Sequence, residues 1–271
     1  MGKITFKDII DPVSPDTFFK EYWNKKHLVI RRNKFKDLFN FEDLNNYLNK
    51  YPDVKSLQIL NYDNKDSRWC LDKVKKKQLN HGVHQPMLSK QQVYELWMQG
   101  KTFVVPLMEY EKENLVDICF AIEQFFGNGQ ANVYASPKAN SRSFPAHADS
   151  TENFLFHTEG KTKWTIYKEF KGEKPKTILE QFILEPGDLL YIPTHQYHEV
   201  NTIGPRILIS IHFKNKPNQS LEKFAITSNK ENKRNKWYDW RPYKIVKRKV
   251  VKTERLMNKS SWSKPYFNKR I

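Results

Sequence analysis

The sequence predicts a mainly β fold with flanking helices, a barrel or jelly roll. Three observations carry this expectation. Beyond Gly129 the chain breaks into closely spaced short strands with turn residues between them. Before Gly129 helical patterns dominate, with only a few strands among them. Aromatic residues make up 14% of the 271 residues and are spread along the length, which suffices for a real core.

Ser14-Pro15-Asp16 opens a helix: a capping Ser, Pro in the first turn and an early acid. Phe18, Phe19, Tyr22 and Trp23 form its apolar side. Leu28-Val29-Ile30 reads as a short strand, Phe41 to Leu48 as a second helix and Leu57 to Tyr62 as a strand. Ser89 with Gln92 makes a capping-box start for a helix through Met98. Thr102 to Leu107 is a strand. Leu115 to Phe126 carries a broad helical apolar face that stops at Gly127-Asn128-Gly129. The strands expected after it are Ala131–Ala135, His147–Asp149, Asn153–Thr158, Lys163–Tyr167, Thr177–Leu184, Leu189–Ile192, Tyr197–Val200 and Arg206–Phe213. Pro137, Gly160, Gly172, Pro186-Gly187 and Gly204-Pro205 punctuate them. The division is residues 1–100 as a helical and strand segment packing on the barrel, 101–213 as the barrel, and 214–271 as a basic tail containing aromatics.

Composition narrows the function classes. No apolar run approaches the length of a membrane span, and the N-terminus lacks a signal-peptide core. Phe6 stands where a myristoylation motif wants Ser or Thr. Two cysteines, Cys70 and Cys119, are too few for a disulfide framework, so an intracellular compartment, cytoplasm or nucleus, is expected. The formal charge of +17 is uneven. From Lys214 onward there are 18 Lys or Arg against 4 Asp or Glu, leaving 29 against 26 in the rest. Such a concentrated basic segment suits a polyanion, most often nucleic acid. The aromatics Trp237, Tyr238, Trp240, Tyr243, Trp262, Tyr266 and Phe267 are placed to stack on bases or to fold back on the core. A merely solubilising tail is the simpler alternative.

The chemistry concentrates in His147-Ala148-Asp149 and His198. His-x-Asp on a strand puts both side chains on one face. A later strand can bring His198 to the same point. Two imidazoles and one carboxylate form the facial triad of non-haem Fe(II) oxygenases, which leaves open coordination positions. Alone, His-x-Asp is weak. The 49-residue gap to His198 and the strand–turn–strand context of both halves strengthen it. The rival reading makes both histidines ordinary barrel residues and Asp149 a turn residue.

The resemblance then becomes definite. Asn132-Val133-Tyr134, Pro137, Pro145-Ala146-His147-Ala148-Asp149, Asn153-Phe154, Gly160-Lys161-Thr162-Lys163-Trp164 and Glu185 through Pro193 resemble the JmjC/cupin-8 group of Fe(II)/2-oxoglutarate oxygenases. That group includes ribosomal oxygenases and a tRNA wybutosine hydroxylase. The opening Phe18 to Trp23 and Leu28 to Arg32 also look like the group's, so the resemblance covers about residues 5–213. It implies a double-stranded β-helix, Fe(II), 2-oxoglutarate and O2 as cofactors, and His147, Asp149 and His198 as metal ligands and catalytic residues. The implied reaction is oxidative decarboxylation of the oxo acid coupled to hydroxylation of a C–H bond.

One departure matters. The far carboxylate of 2-oxoglutarate needs a cation. In the resembling family it usually lies thirteen residues after the motif Asp, and here that position is Thr162. Lys161 and Lys163 should point to the opposite face unless the register changes. Arg206, eight residues after His198, is the best substitute, as related oxygenases often place an Arg at a similar offset. Thr162 and Tyr134 are candidate hydrogen-bond donors to the same carboxylate, and Asn153 a neighbour of the cosubstrate. His195 occupies a turn where the motif often has Gly, and is expected to face solvent. His157 reads as structural. His81 and His84 fall in a polar loop that suits a substrate lid.

The leading expectation is hydroxylation of a macromolecule: first a side chain of a ribosomal or RNA-associated protein, second an RNA nucleoside. Homodimers are common in the resembling group, though no segment here specifies an interface. The rival class is an inactive cupin-like module that binds RNA or protein, for which Thr162 is the main support. A cupin enzyme with another metal and no oxo acid is the third.

Overall fold

The computed structural model describes residues 4–31, 34–50, 53–54, 57–60, 75–78, 84–123, 126, 129–141, 144–170, 172, 174–213, 243–246 and 249–252. Tyr62, Cys70, His81 and the tail aromatics other than Tyr243 lie outside the described residues.

Three helices begin at local caps. Thr5 and Asp8 form a reciprocal capping box that starts α1 (Phe6–Ile10), a helix absent from the sequence expectations. Ser14 accepts from the Thr17 amide (3.1 Å) ahead of α2 (Pro15–Glu21). Asn40 and Asp43 cap α3 (Phe41–Asn49) in the same reciprocal way. Among them runs β1 (Leu28–Ile30). Then follow β2 (Asp53–Val54), β3 (Gln58–Leu60), β4 (Lys75–Gln78), β5 (His84–Ser89), α4 (Lys90–Met98), β6 (Thr102–Val105) and α5 (Glu113–Glu123). His84 therefore begins a strand rather than lying in a loop. β6 is shorter than expected because Leu107 turns into the left-handed region (φ 61°) ahead of a single 3-10 turn, Met108–Tyr110.

The later strands are β7 (Gly129–Ser136), β8 (His147–Ala148), β9 (Glu152–Glu159), β10 (Thr162–Phe170), β11 (Ile178–Leu184), β12 (Leu189–Ile192), β13 (Gln196–Thr202) and β14 (Arg206–Phe213). A hairpin, β15 (Tyr243–Val246) with β16 (Lys249–Lys252), lies within the basic segment.

Two antiparallel sheets make the barrel. The larger has seven strands in the order β1-β12-β9-β14-β7-β6-β3, and the smaller has four, β11-β10-β13-β8. The fold class expected from the sequence holds. β1 and β3 come from the N-terminal segment and extend the larger sheet at its two edges. His27 Nε2 meets Glu180 Oε2 at 2.8 Å, and Arg31 reaches Asp188 and the Ile183 carbonyl. These contacts stitch the β1 side of one sheet to the β11 side of the other.

Strand period sorts the residues of β14 between the two faces of the larger sheet. On β14, Ile207, Ile209, Ile211 and Phe213 enter the core beneath the helices, with Phe6, Phe18, Phe126 and Phe154. Its alternate residues Arg206, Leu208 and Ser210 face the barrel interior, where Leu208 packs with Leu155, Trp164, Ile166, Leu184, Leu190 and Ile192. The helical layer thus holds the outer face of the larger sheet rigid and leaves its inner face to chemistry. Truncating Phe154, fully buried in that layer, would cost about 3–5 kcal/mol. Gly160 ties two turns together. Its φ is +73°, and a Cβ there would lie 1.8 Å from the Pro205 carbonyl oxygen, one residue before β14.

Candidate metal centre

His147 and His198 are direct cross-strand partners on β8 and β13. Their ring centroids are 4.4 Å apart. Asp149 follows immediately after β8, one residue beyond the strand, and its carbonyl accepts from the His195 amide at 2.8 Å. Its carboxylate faces both rings: Oδ1 is 3.7 Å from His147 Nε2 and Oδ2 is 3.8 Å from His198 Nε2. One ligand atom from each residue lies within 4.8 Å of the other two. Separations near 3.7 Å are too long for hydrogen bonds. They leave room for one ion at roughly 2.1 Å from each ligand.

The tautomers suit that task. His147 Nδ1 lies 2.8 Å from the Pro145 carbonyl, and His198 Nδ1 lies 3.0 Å from the Gln196 carbonyl. A carbonyl only accepts, so each Nδ1 carries the proton and each Nε2 presents its lone pair toward Asp149. Both acceptors belong to the residue two before the histidine. Burial, with His147 beside it, pushes the His198 pKa down to about 4, so this imidazole is neutral at pH 7. Asn153 Nδ2 donates to Asp149 Oδ2 (2.7 Å), and Ser210 Oγ donates to Asn153 Oδ1 (3.3 Å). This chain fixes the carboxylate. Asn153, expected beside the cosubstrate, acts directly on Asp149.

A cavity of ≈ 240 Å³ opens from the triad. His147, Asp149 and Phe144 line it at the partly exposed side, and Tyr134, Trp164, Ser210 and Arg206 line it within. Arg206 is 1% exposed. Its Nε donates to Ser136 Oγ (3.2 Å), while its Nη1 is buried with no hydrogen-bond partner. Burial holds its pKa down at about 10, still charged at pH 7. A buried cation without a carboxylate is costly unless a ligand supplies the anion. Burial, then the nearby Asp149, pushes the Tyr134 phenol well above its ordinary range, so it stays a neutral donor.

The other cosubstrate candidates divide. Thr162 is fully buried on the inner face of β10, where its Oγ1 accepts from Trp164 Nε1 (3.0 Å), but it does not line the cavity. Lys161 and Lys163 do not reach it either. Both are exposed, and Lys161 pairs with Glu185 at 2.5 Å. No register change brings them inward, because Thr162, Trp164 and Ile166 keep the inner face. Sequence reasoning missed Ser210, Phe144 and Ser136. The period of β14, counted from Arg206, was the signal for Ser210.

The remaining histidines have other surroundings. His157 is fully buried on β9, its Nε2 donating to the Gly160 carbonyl (2.9 Å). Burial, then Arg206, lowers its pKa to about 4. His195 adopts φ +72°, consistent with a turn that often carries Gly, but it is partly buried rather than solvent-facing. Among the described residues no helix is long and apolar enough to cross a membrane.

Comparison with known proteins adds the family. Residues 105–221 match the JmjC domain. Ribosomal oxygenase 2 of Mus musculus is 30% identical over 215 residues, covering 73% of this chain and 44% of that protein. The Bos taurus protein of the same name is 31% identical over 216 residues. A bifunctional lysine-specific demethylase and histidyl-hydroxylase NO66 from Drosophila willistoni is 27% identical over 222 residues, 74% of this chain and 27% of that protein. This chain therefore spans less than half the length of these relatives. Among solved structures, Escherichia coli ribosomal oxygenase YcfD superposes with a TM-score of 0.56 at 18% identity, over 76% of this chain and 53% of that one. YcfD in complex with cobalt and 2-oxoglutarate gives 0.55 at 15% identity, over 95% and 65%.

Proposed function

The chain is a JmjC-domain protein akin to the ribosomal oxygenases, and from that premise we propose that it is an Fe(II)- and 2-oxoglutarate-dependent oxygenase that hydroxylates a side chain of a ribosomal or other RNA-associated protein. One observation carries the reading. A single cavity joins a convergent His147–Asp149–His198 set to a buried guanidinium, Arg206, whose Nη1 has no hydrogen-bond partner.

His147 Nε2, His198 Nε2 and the Asp149 carboxylate would hold the metal. Bound there, the metal and the oxo acid supply the oxidative decarboxylation that drives C–H hydroxylation. The Pro145 and Gln196 carbonyls keep both imidazoles in the liganding tautomer. Asn153 holds one carboxylate oxygen of Asp149 and limits its rotation. Arg206 would pair with the far carboxylate of 2-oxoglutarate, and the neutral Tyr134 phenol would donate to it. Leu155, Trp164, Val200 and Leu208 line the same cavity and exclude bulk water from it. The basic segment, with 18 Lys or Arg against 4 Asp or Glu, would concentrate the enzyme on RNA-bearing particles through phosphate attraction.

The test is succinate formation from 2-oxoglutarate by the purified chain with Fe(II), with ribosomal proteins as substrates and a mass gain of one oxygen as readout. His147→Ala and Asp149→Ala should abolish it and weaken Mn(II) binding together. Mn(II) binding without any 2-oxoglutarate affinity would point to the inactive module instead.

A further inference from the structure

We propose that Ser136 and Thr102 are positioning residues for the cosubstrate: a directed hydroxyl relay that orients the Arg206 guanidinium without neutralising it. The inference rests on the 2-oxoglutarate reading given above.

The relay spans three neighbouring strands. Arg206 Nε on β14 donates to Ser136 Oγ on β7 (3.2 Å). Ser136 Oγ lies 2.9 Å from Thr102 Oγ1 on β6, and Thr102 Oγ1 lies 3.3 Å from the Ser141 carbonyl. The proton directions follow from chemistry. With the Thr102 proton on the Ser141 carbonyl, Ser136 donates to Thr102 and keeps a lone pair for the Arg206 Nε–H, the one arrangement of these contacts that gives every hydroxyl proton an acceptor. The Thr202 hydroxyl has one proton, which goes to the nearer Lys138 carbonyl (3.1 Å) rather than to that of Ser141 (3.4 Å), leaving the Ser141 carbonyl to Thr102. Thr102 and Ser136 are fully buried and Ser141 is 4% exposed, so water does not compete.

A guanidinium is planar, so holding Nε sets the direction of the whole donor fork. Here Nη1 has no protein partner, and the residue lines the cavity. A bidentate match to a carboxylate depends on that plane. The anchor is a hydroxyl rather than an acid. An Asp in its place would orient the group equally well but would satisfy its charge, and the cosubstrate would have to compete. His157, whose pKa burial and then the Arg206 charge hold down at about 4, is neutral at pH 7 and adds no second charge beside the guanidinium.

The experiment compares full-length Ser136→Ala, Thr102→Val and Ser136→Asp with the wild type. KM for 2-oxoglutarate should rise about tenfold for Ser136→Ala and a few-fold for Thr102→Val. Their kcat and Mn(II) affinity should stay within about twofold, because neither hydroxyl touches the His147–Asp149–His198 set. The Ser136→Ala/Thr102→Val pair should be no worse than Ser136→Ala alone, because both act on one path. Ser136→Asp should lose most 2-oxoglutarate affinity while still folding. A second readout needs no cosubstrate. The Arg206 Nε–H resonance, assigned by its absence in Arg206→Met, should be protected from exchange in the wild type and lose protection in Ser136→Ala. An unchanged resonance, or an unchanged KM, overturns the relay. A wild type that never binds 2-oxoglutarate defeats the oxygenase reading instead, and the resonance then decides the relay alone.

Discussion

Replacing Arg206 by Met should push affinity and stability in opposite directions. The guanidinium is 1% exposed and its Nη1 has no partner, so in the ligand-free protein its charge is a liability. The fall of its pKa from 12.5 to about 10 corresponds to roughly 3 kcal/mol of unfavourable burial. Arg206→Met removes that cost, fills much the same volume and releases one hydrogen bond to Ser136. The ligand-free Tm should therefore hold or rise. Cosubstrate affinity should fall sharply, because truncating one partner of a buried charge pair costs about 2–5 kcal/mol, a factor of roughly 30 to several thousand. Calorimetry with Mn(II) under anaerobic conditions measures the affinity. Thermal melts give the second half: at one hundred times the wild-type Kd, 2-oxoglutarate should stabilise the wild type by about 2.7 kcal/mol, and the variant by less than about 1 kcal/mol. An unchanged Kd would refute the pairing. So would a variant whose ligand-free Tm drops by several degrees, since that would make Arg206 a structural residue.

Three further outcomes are expected. Folding should weaken in acid through His157: its folded pKa of about 4 lies below the ordinary 6.5, so the unfolded chain takes up the proton first. The His157 contribution is complete above pH 6.5 and falls as pH drops toward 4, by roughly 3 kcal/mol, and urea midpoints at pH 7.5 and 4.5 should show a smaller acid loss in His157→Gln, the part due to His198 remaining. His195→Gly relieves a left-handed residue at φ +72° and should raise the unfolding free energy by about 0.5–1 kcal/mol, read as a higher urea midpoint at an unchanged slope. Thr162→Lys placed on Arg206→Met should recover about tenfold of the lost 2-oxoglutarate affinity, because Thr162 shares the inner face of β10 with Trp164, which lines the cavity with Arg206, and the longer side chain can reach it; no recovery would show that the two walls do not address the same carboxylate.

The barrel and the triad were legible because both rest on a period of two. β14 reads Arg-Ile-Leu-Ile-Ser-Ile-His-Phe, with every second residue apolar and buried against the helices. The strands at 75–78 and 84–89 were illegible for the same reason. Lys75-Lys76-Lys77-Gln78 has no apolar alternation, and Pro86 argues against a strand interior. α1 was missed because one short turn of apolar residues carries no period, although its capping box stood in Thr5 and Asp8. Within the site, the acceptors of both histidine Nδ1 protons are backbone carbonyls, which no side-chain pattern reports. Thr102 and Ser136 are 34 residues apart and meet only because β6 pairs with β7.

Thr162 and Arg206 together decide between a working and a degenerate barrel. Read alone, a Thr at the position where the family resemblance leads one to expect the cation suggests a lost cosubstrate. The interior, however, has two walls: Trp164 of β10 and Leu208 of β14 pack in one cluster, beside Thr162 and Arg206 respectively. A charge supplied from either wall serves a ligand held between them. A barrel that had dropped the anion would gain stability by replacing a buried guanidinium, since an uncompensated internal charge is among the costlier features a core retains. This chain instead keeps the charge and holds its Nε with a neutral hydroxyl, while the lysines at 161 and 163 face outward. Under the proposed oxygenase reading, the departure at Thr162 is a cation supplied from the opposite wall, and the Arg206→Met titration is its test.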